Sequence, residues 1–99
     1  MIELDGTGCK VAVFVCTNER SPDKSCCKKV GGMEFYQALK QKVKESQLQH
    51  SHWISRSGCL GFCNDKGTAV VIFKSNHTPK WFNEVTSQQT EEIWKEIIS

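Results

Sequence analysis

The residues with the most chemical potential in this chain of 99 residues are its six cysteines. They are Cys9, Cys16, Cys26, Cys27, Cys59 and Cys63. The chain starts with an acidic segment and shows neither the basic start nor the apolar core of a secretory signal, which predicts a cytoplasmic protein. A reducing cytosol keeps thiols free. Clustered cysteines therefore favour a metal centre over the disulfide framework expected of a short secreted chain.

Four of these cysteines are spaced as the ligands of a large metal group. Cys16, Cys27, Cys59 and Cys63 form the pattern C-x10-C-x31-C-x3-C. Structural zinc sites usually use C-x2-C knuckles, because a short turn aims both sulfurs at one small ion. A 2Fe–2S cluster needs four thiolates, two on each iron, and looser pairs from two segments suit it better. The spacing favours the cluster.

Small and apolar residues surround the second pair of cysteines. Gly58 and Gly61 allow the backbone to approach a cluster, whose sulfurs accept hydrogen bonds from backbone N–H groups. Leu60 and Phe62 are expected to fill core rather than to shield the site from water.

Charge and hydropathy argue against several classes of protein. The net charge of +2 gives no support to a nucleic-acid partner. No apolar run of about eighteen residues is present, so no membrane span is expected. Six lysines of the first half are expected to form a solvated loop and helix face, the alternative being a docking patch for an acidic protein. They are Lys24, Lys28, Lys29, Lys40, Lys42 and Lys44.

The first predicted strand must position the first thiol. Lys10–Val15 is a short apolar run rich in β-branched residues, which suits a strand covered on both faces. It presents Cys16 at its C-terminal end, the edge at which open α/β sheets place their ligands. A polar loop then leads to an amphipathic helix over Met33–Lys44.

The remaining elements complete a sheet. Strands are predicted at His52–Arg56, Thr68–Phe73 and Lys80–Val85, and a second helix at Ser87–Ile98 behind a Thr86–Gln89 capping box. The order β-α-β, cysteine loop, β-β-α predicts an α/β (α+β) fold, a mixed four-stranded sheet with two main helices. That order is compatible with a thioredoxin-like fold. We expect residues 1–99 to form one domain, with residues 1–9 flexible.

With these pieces in place, the chain resembles the thioredoxin-like 2Fe–2S ferredoxins (the Shethna type), which are also similar to the small cluster-bearing subunit of NADH-oxidising complexes. The most specific matches are Phe14–Arg20 and Ser57–Cys63, and the resemblance extends over nearly the whole chain after Lys10. It implies an electron carrier, usually a homodimer. It also implies that Cys16 and Cys27 hold one iron, and Cys59 and Cys63 the other.

The chain departs from this family at two places. The family typically follows its last cysteine with Gly-Pro just before a strand, whereas here Gly67 comes one residue later than expected and Thr68 replaces the proline. The neighbouring loop is therefore expected to differ in shape. Cys26 and Cys27 are adjacent, and Cys27 fits the family register better; Cys26 remains the alternative ligand.

Other reactive residues are given structural interpretations. Cys9 is expected to be a plain thiol. The histidines His50, His52 and His77 are expected at the surface or on a strand, because four cysteines already suffice for a cluster. Trp53 and Trp81 are expected to pack in the core.

The predicted function is electron transfer rather than catalysis. The sequence shows no nucleophile–base–acid set and no phosphate-binding glycine loop, and it lacks the C-x2-C of a thiol oxidoreductase. We expect a 2Fe–2S cluster of low reduction potential that carries one electron between protein redox partners, with no nucleic-acid or membrane partner. The alternatives are a zinc-binding or cluster-free interaction module, and an accessory role in cluster delivery or in protecting an oxygen-sensitive enzyme.

Overall fold

The computed structural model describes residues 1–2, 8–17, 31–58 and 67–99, and within these ranges the chain forms four strands and two helices. The strands are β1 (Val11–Cys16), β2 (His52–Ser57), β3 (Thr68–Lys74) and β4 (Lys80–Val85). The helices are α1 (Gly32–Glu45) and α2 (Thr90–Ile98), the latter preceded by a 3-10 turn at Ser87–Gln89. No helix among the described residues is long and apolar enough to cross a membrane.

The strands form one mixed sheet in the order β2-β1-β3-β4. β1 pairs in parallel with β2 and antiparallel with β3, and β3 pairs antiparallel with β4. The predicted mixed four-stranded sheet with two helices is confirmed, and β2 and β4 are its edge strands. β1 is therefore an inner strand, paired along both of its edges.

Local signals explain where the helices begin. Gly31 precedes α1 with φ of 87°, in the left-handed region that glycine enters without steric cost. The predicted capping box is present, because the Thr86 side chain accepts from the Gln88 N–H and the Gln89 side chain accepts from the Thr86 N–H. These contacts satisfy N–H groups that a helix start would leave unpaired.

One face of the sheet, here called the covered face, carries both helices. Its strand residues are Val11, Val13, Val15, Ile54, Val70, Ile72 and Val85. They pack against three residues of α1 (Phe35, Leu39 and Val43) and three of α2 (Ile93, Trp94 and Ile97). All thirteen residues belong to one buried cluster. This is the main core of the described part of the chain.

The opposite face, here called the open face, consists of the alternate residues of the same strands. By the pairing register these are Ala12, Phe14, Cys16, Trp53, Ser55, Ser57, Ala69, Val71, Phe73 and Trp81. Ala12 and Phe14 are only half-buried. The prediction that β1 is covered on both faces is therefore wrong for the first part of this strand, because both described helices pack on the covered face.

One further packing prediction is corrected. Trp53 and Trp81 are 41% and 54% exposed, so they do not belong to the core. Ile98, the last residue of α2, is 50% exposed. Local periodicity places a residue near a face, but the helix end and the edge strands leave these side chains outside the packed interior.

Candidate metal centre

Cys16 is the last residue of β1, and its environment is set by both neighbouring strands. Its Cα partner on β2 is Ser57, and the Thr17 N–H donates to the Ser57 carbonyl at 3.1 Å. Cys16 is 1% exposed and clusters with Ala69 of β3 rather than with the main core. The predicted position of this thiol, at the C-terminal end of a central strand, is confirmed. Its side chain belongs to the open face.

Thr68, the first residue of β3, is tied to Cys16 through a buried hydrogen bond. Its hydroxyl donates to the Cys16 carbonyl at 2.6 Å, and the residue has no exposed surface. A proline at this position would carry no such donor. The replacement noted in the sequence therefore gives this chain its own link between β3 and the end of β1.

Gly67 is required by close packing. A Cβ atom at this residue would lie 2.4 Å from the Glu84 carbonyl carbon and 2.6 Å from the Val85 nitrogen. The register of β3 and β4 shifts at this point, and Glu84 adopts φ of 55°. Such bulges bend a strand and recur beside functional sites. By contrast, a Cβ at Gly58 would meet no atom of the described residues within 4 Å, so packing among them does not require a glycine there.

The chain ends that border residues 18–30 and 59–66 come together at this edge. Thr17 and Gly58 follow the paired ends of β1 and β2, and Gly67 immediately precedes Thr68. Gly31 immediately precedes α1, and a guanidinium nitrogen of Arg56 lies 4.0 Å from the Met33 sulfur in the first turn of this helix. The described residues that flank the two segments with the other predicted ligands therefore lie at the edge where Cys16 lies.

Of the four predicted ligands, only Cys16 can be placed. Cys27, Cys59 and Cys63 lie outside the described residues, as does the alternative ligand Cys26. Within the described ranges, no three histidine, cysteine or acidic side chains converge as a metal site would require. Cys16 ends a strand that lies between a parallel and an antiparallel neighbour. Its thiol is the kind of ligand that holds an iron–sulfur cluster.

Two positive groups lie at this end of the sheet, on the covered face. The N-terminus of α1 carries the positive end of a helix dipole and lies on this side of the sheet. Arg56 is exposed and sits over the Tyr36 ring, with its guanidinium carbon 6.0 Å from the ring centroid. A cluster held by four thiolates has net negative charge, which such groups stabilise.

The remaining reactive residues lie elsewhere. His52 pairs with Val11 at the opposite end of β2 from Ser57, and its Nδ1 atom lies 2.8 Å from the Ser51 hydroxyl. Burial lowers the pKa of His52, and the positive charges of Lys10 and Lys74 lower it further. The thiol of Cys9 contacts the Val11 carbonyl at 3.4 Å. Neither residue is at the Cys16 edge.

A groove of about 700 Å³ lies between α1 and β2, and its described lining includes Lys40, Lys44 and His52 but neither Cys9 nor Cys16. The sequence did not indicate this groove. Sequence reasoning also missed the contact of Thr68 with Cys16, for which the absent proline was the only available signal.

Comparison with known proteins gives consistent relatives. The chain is 30% identical over 84 residues to a ferredoxin, 2Fe-2S, of Aquifex aeolicus, an alignment that covers 82% of this chain and 72% of the relative. It is 30% identical over 96 residues to a putative 2Fe-2S ferredoxin of Priestia megaterium, covering 97% of this chain and 65% of that protein. No protein-family model matches the chain.

The fold has a counterpart among solved structures. The crystal structure of the wild-type thioredoxin-like [2Fe-2S] ferredoxin from Aquifex aeolicus superposes with a TM-score of 0.74 at 27% sequence identity. The superposition covers 89% of this chain and 84% of that one. The predicted thioredoxin-like fold is confirmed.

Proposed function

The chain belongs to the thioredoxin-like 2Fe–2S ferredoxins, and from this premise we propose that it carries one electron at a time on a 2Fe–2S cluster between protein redox partners. The observation that carries the proposal is the placement of Cys16. This thiol ends a central strand at the edge where the chain segments holding the other cysteines begin and end. The relatives give no support to the zinc-binding or cluster-free alternative.

We assign the cluster to four cysteines of this chain: Cys16, Cys27, Cys59 and Cys63. The approach of β2 to β1 supports the assignment, because Cys59 follows the end of β2 by only two residues. Cys63 precedes Gly67 by four residues, and Gly67 leads directly into the contact of Thr68 with Cys16. When bound, the cluster supplies the redox centre.

The protein's own residues prepare this edge for a charged group. Thr68 fixes the backbone of Cys16, while Gly67 lets β3 start against the bulge of β4. A fixed backbone holds the first thiol in one orientation, and preorganised ligands are what a stable metal site needs. No residue of the described part is assigned a catalytic role, and we infer a carrier rather than an enzyme.

The location and the assembly follow as part of the same proposal. We infer a cytoplasmic protein, supported by the abundance of cysteines, because thiols that hold a metal group must stay reduced, as they do in the cytosol. We also infer a homodimer that exchanges electrons with larger redox proteins at the cluster edge, with residues 1–99 forming one domain.

Cluster content is tested by anaerobic purification, with iron and sulfide counted and the visible absorption spectrum recorded. We expect iron and sulfide in equal amounts and a reddish-brown protein. Cys59→Ala should abolish both, since one iron would lose a thiolate. Full iron content in the Cys59→Ala protein would contradict the assignment.

Two matched cysteine variants complete the test. Cys26→Ser should leave the cluster intact, and loss of colour there would transfer the ligand role from Cys27 to its neighbour. Cys9→Ser changes a thiol that lies before β1, at the opposite end of this strand from Cys16. It should retain the full spectrum, which makes it the control for removing a cysteine as such.

A further inference from the structure

The outer edge of β2 is the side of this strand that does not pair with β1, and the groove between α1 and β2 runs along it. Within the described sheet β2 is the end strand and pairs with β1 alone. The strand contributes His52 to Ser55 to the lining of the groove. An edge strand of this kind presents backbone groups with which another strand can pair.

The alternation of backbone groups along β2 determines which of its residues face β1. The Ser51 carbonyl accepts a hydrogen bond from the Lys10 N–H at 2.8 Å, and the Ser57 carbonyl accepts one from the Thr17 N–H at 3.1 Å. In a parallel pair, alternate residues of a strand bond to the same neighbour. The odd-numbered residues of β2 therefore direct their N–H and C=O groups to β1.

The even-numbered residues of β2 direct their backbone groups to the outer edge. The His52 N–H shows this direction, because it donates to the Leu48 carbonyl at 2.8 Å, outside the sheet. Ile54 and Arg56 have the same parity, and no backbone group of the described residues pairs with them on this side. The outer edge thus offers two N–H donors and two carbonyl acceptors in strand geometry.

The helix side of the groove carries positive charge. Lys40 and Lys44 line it, both are exposed, and no acidic residue is among the described lining residues. Residues four apart lie on one side of a helix, so the two lysines are neighbours along the groove. Lys42, by contrast, forms an ion pair with Glu91 of α2. Glu45 follows Lys44 in the chain but does not line the groove.

We propose that the outer edge of β2 binds an extended acidic segment of a protein redox partner, which adds a strand beside β2 and sets two carboxylates against Lys40 and Lys44. The inference rests on the electron-carrier function proposed above and adds the partner's chemistry and its docking site. Such strand addition draws affinity from backbone hydrogen bonds and specificity from alternate side chains.

The spacing of the two lysines fits such a segment. Alternate side chains on one face of a strand lie about 7 Å apart. Four residues of helix advance by about 6 Å, which is the separation of Lys40 and Lys44 along α1. Acidic residues at every second position of the segment therefore meet both lysines in turn.

The charges around the groove favour an acidic partner over a second copy of this chain. Arg56 is exposed one residue beyond the strand lining of the groove. At the other end, the positive charges of Lys10 and Lys74 act on His52 and lower its pKa. Two copies paired edge to edge would bring these like charges together, which is destabilising. An acidic segment meets opposite charge along its whole length.

The proposed docking site leads to the metal centre. Ser55 is the last strand residue that lines the groove, and it lies two residues before Ser57, the Cα partner of Cys16. Two residues of strand span about 7 Å. A segment bound along β2 therefore brings its protein to the edge at which the cluster is proposed.

Binding is tested on the full chain, purified anaerobically, with a fluorescein-labelled peptide of alternating threonine and glutamate as the probe. Fluorescence anisotropy should show saturable binding that weakens as the salt concentration rises, because the charges involved are exposed. The same peptide with glutamine in place of glutamate should bind at least ~5-fold more weakly. Equal affinity for the two peptides would overturn the proposal.

Two charge reversals of equal size locate the site. Lys44→Glu reverses a lysine of the groove and should raise the dissociation constant of the glutamate peptide about 5- to 10-fold. Lys95→Glu makes the same change in net charge at an exposed lysine in the last turn of α2. This control should stay within about twofold of the wild type, because distant exposed charges are screened. Equal weakening in both variants would show that binding follows net charge alone, against the proposed site.

Two substitutions of Arg56 separate strand addition from the attraction of charge. Arg56→Gln removes the charge and keeps the N–H at the outer edge, whereas Arg56→Pro removes both. Proline is tolerated in an edge strand where the N–H faces away from the sheet. Arg56→Pro should bind the glutamate peptide at least ~5-fold more weakly than Arg56→Gln, because a backbone hydrogen bond is lost. Equal affinities would show that the peptide does not pair with β2.

The visible absorption spectrum of the same samples reports the cluster separately. A protein that binds the glutamate peptide without carrying a cluster would keep the docking site and overturn the electron-carrier proposal. A protein with its full cluster that does not bind the peptide would overturn the docking site alone. A labelled single-stranded oligothymidine serves as the nucleic-acid probe, and its binding in preference to the glutamate peptide would overturn an acidic protein partner.

Discussion

On the covered face of the sheet, Val13 and Val70 have no exposed surface, whereas on the open face Trp53 and Phe73 each keep about two fifths of theirs. Both faces are built from the same strands by simple alternation of side chains. The covered face packs against two helices and holds the core, whereas no described helix packs against the open face along the first part of β1. The difference between the faces is therefore a difference in what each one packs against.

The functional residues follow the same division. Cys16 has the parity of the open face, so its thiol projects away from the core that stabilises the fold. A cluster with negative charge is costly to bury in an apolar core. A strand that supplies core residues on one side and a ligand on the other keeps the two requirements apart. One element thus serves stability and chemistry without a compromise between them.

Removing one phenylalanine ring from each face tests the difference between the two faces most directly. Phe35 on α1 is fully buried against the covered face, and Phe35→Ala should lower the free energy of unfolding by about 3–5 kcal/mol. Phe73→Ala on the open face should cost about 1 kcal/mol in the monomer, because its ring already contacts water. Urea unfolding of both variants measures the difference. Equal losses would show that the open face is packed within the single chain.

Thr68→Val tests the hydrogen bond that joins the start of β3 to the end of β1. The Thr68 hydroxyl bonds to the carbonyl of Cys16, whose thiol belongs to the open face. Replacing this hydroxyl with a methyl group removes a buried hydrogen bond and should lower stability by ~1 kcal/mol. It should also speed the loss of visible absorbance in a chelator, because the backbone of Cys16 is no longer fixed. Thr68→Ser keeps the donor and should behave like the wild type in the chelator assay; equal bleaching of Thr68→Ser and Thr68→Val would contradict this role.

The elements were predictable because their signals are local. The β-branched run of β1, the apolar spacing of α1 and the Thr86–Gln89 capping box each lie within a few consecutive residues. The end of β1 at Cys16 follows from the same run, so this thiol could be placed from sequence. The roles of Cys27, Cys59 and Cys63 stay predictions, since these residues lie outside the described part of the chain.

The features that escaped prediction depend on distant contacts. Thr68 and Cys16 are 52 residues apart, and no local pattern announces their hydrogen bond. Alternation indicates that a strand has two faces, but only the packing of α1 and α2 decides which one is covered. Trp53 and Trp81 are expected in the core because aromatic residues on a strand usually pack there. The sequence does not show that both helices pack on the other face. Their exposure is a property of the assembled sheet.

The smallest expected effect concerns the border of the covered face, at His52 on the edge strand β2. Burial, followed by the charges of Lys10 and Lys74, holds the pKa of His52 below its ordinary value of about 6.5. The unfolded chain then binds more protons at this residue than the folded one, so stability should fall as the pH drops below about 6.5 and level off below the folded pKa. His52→Gln should remove this part of the pH dependence, measured by urea unfolding between about pH 5 and pH 8. His50→Gln, which replaces an exposed histidine, should retain it. If the two variants have the same pH profile, protonation of His52 does not contribute to the pH dependence of the free energy of unfolding.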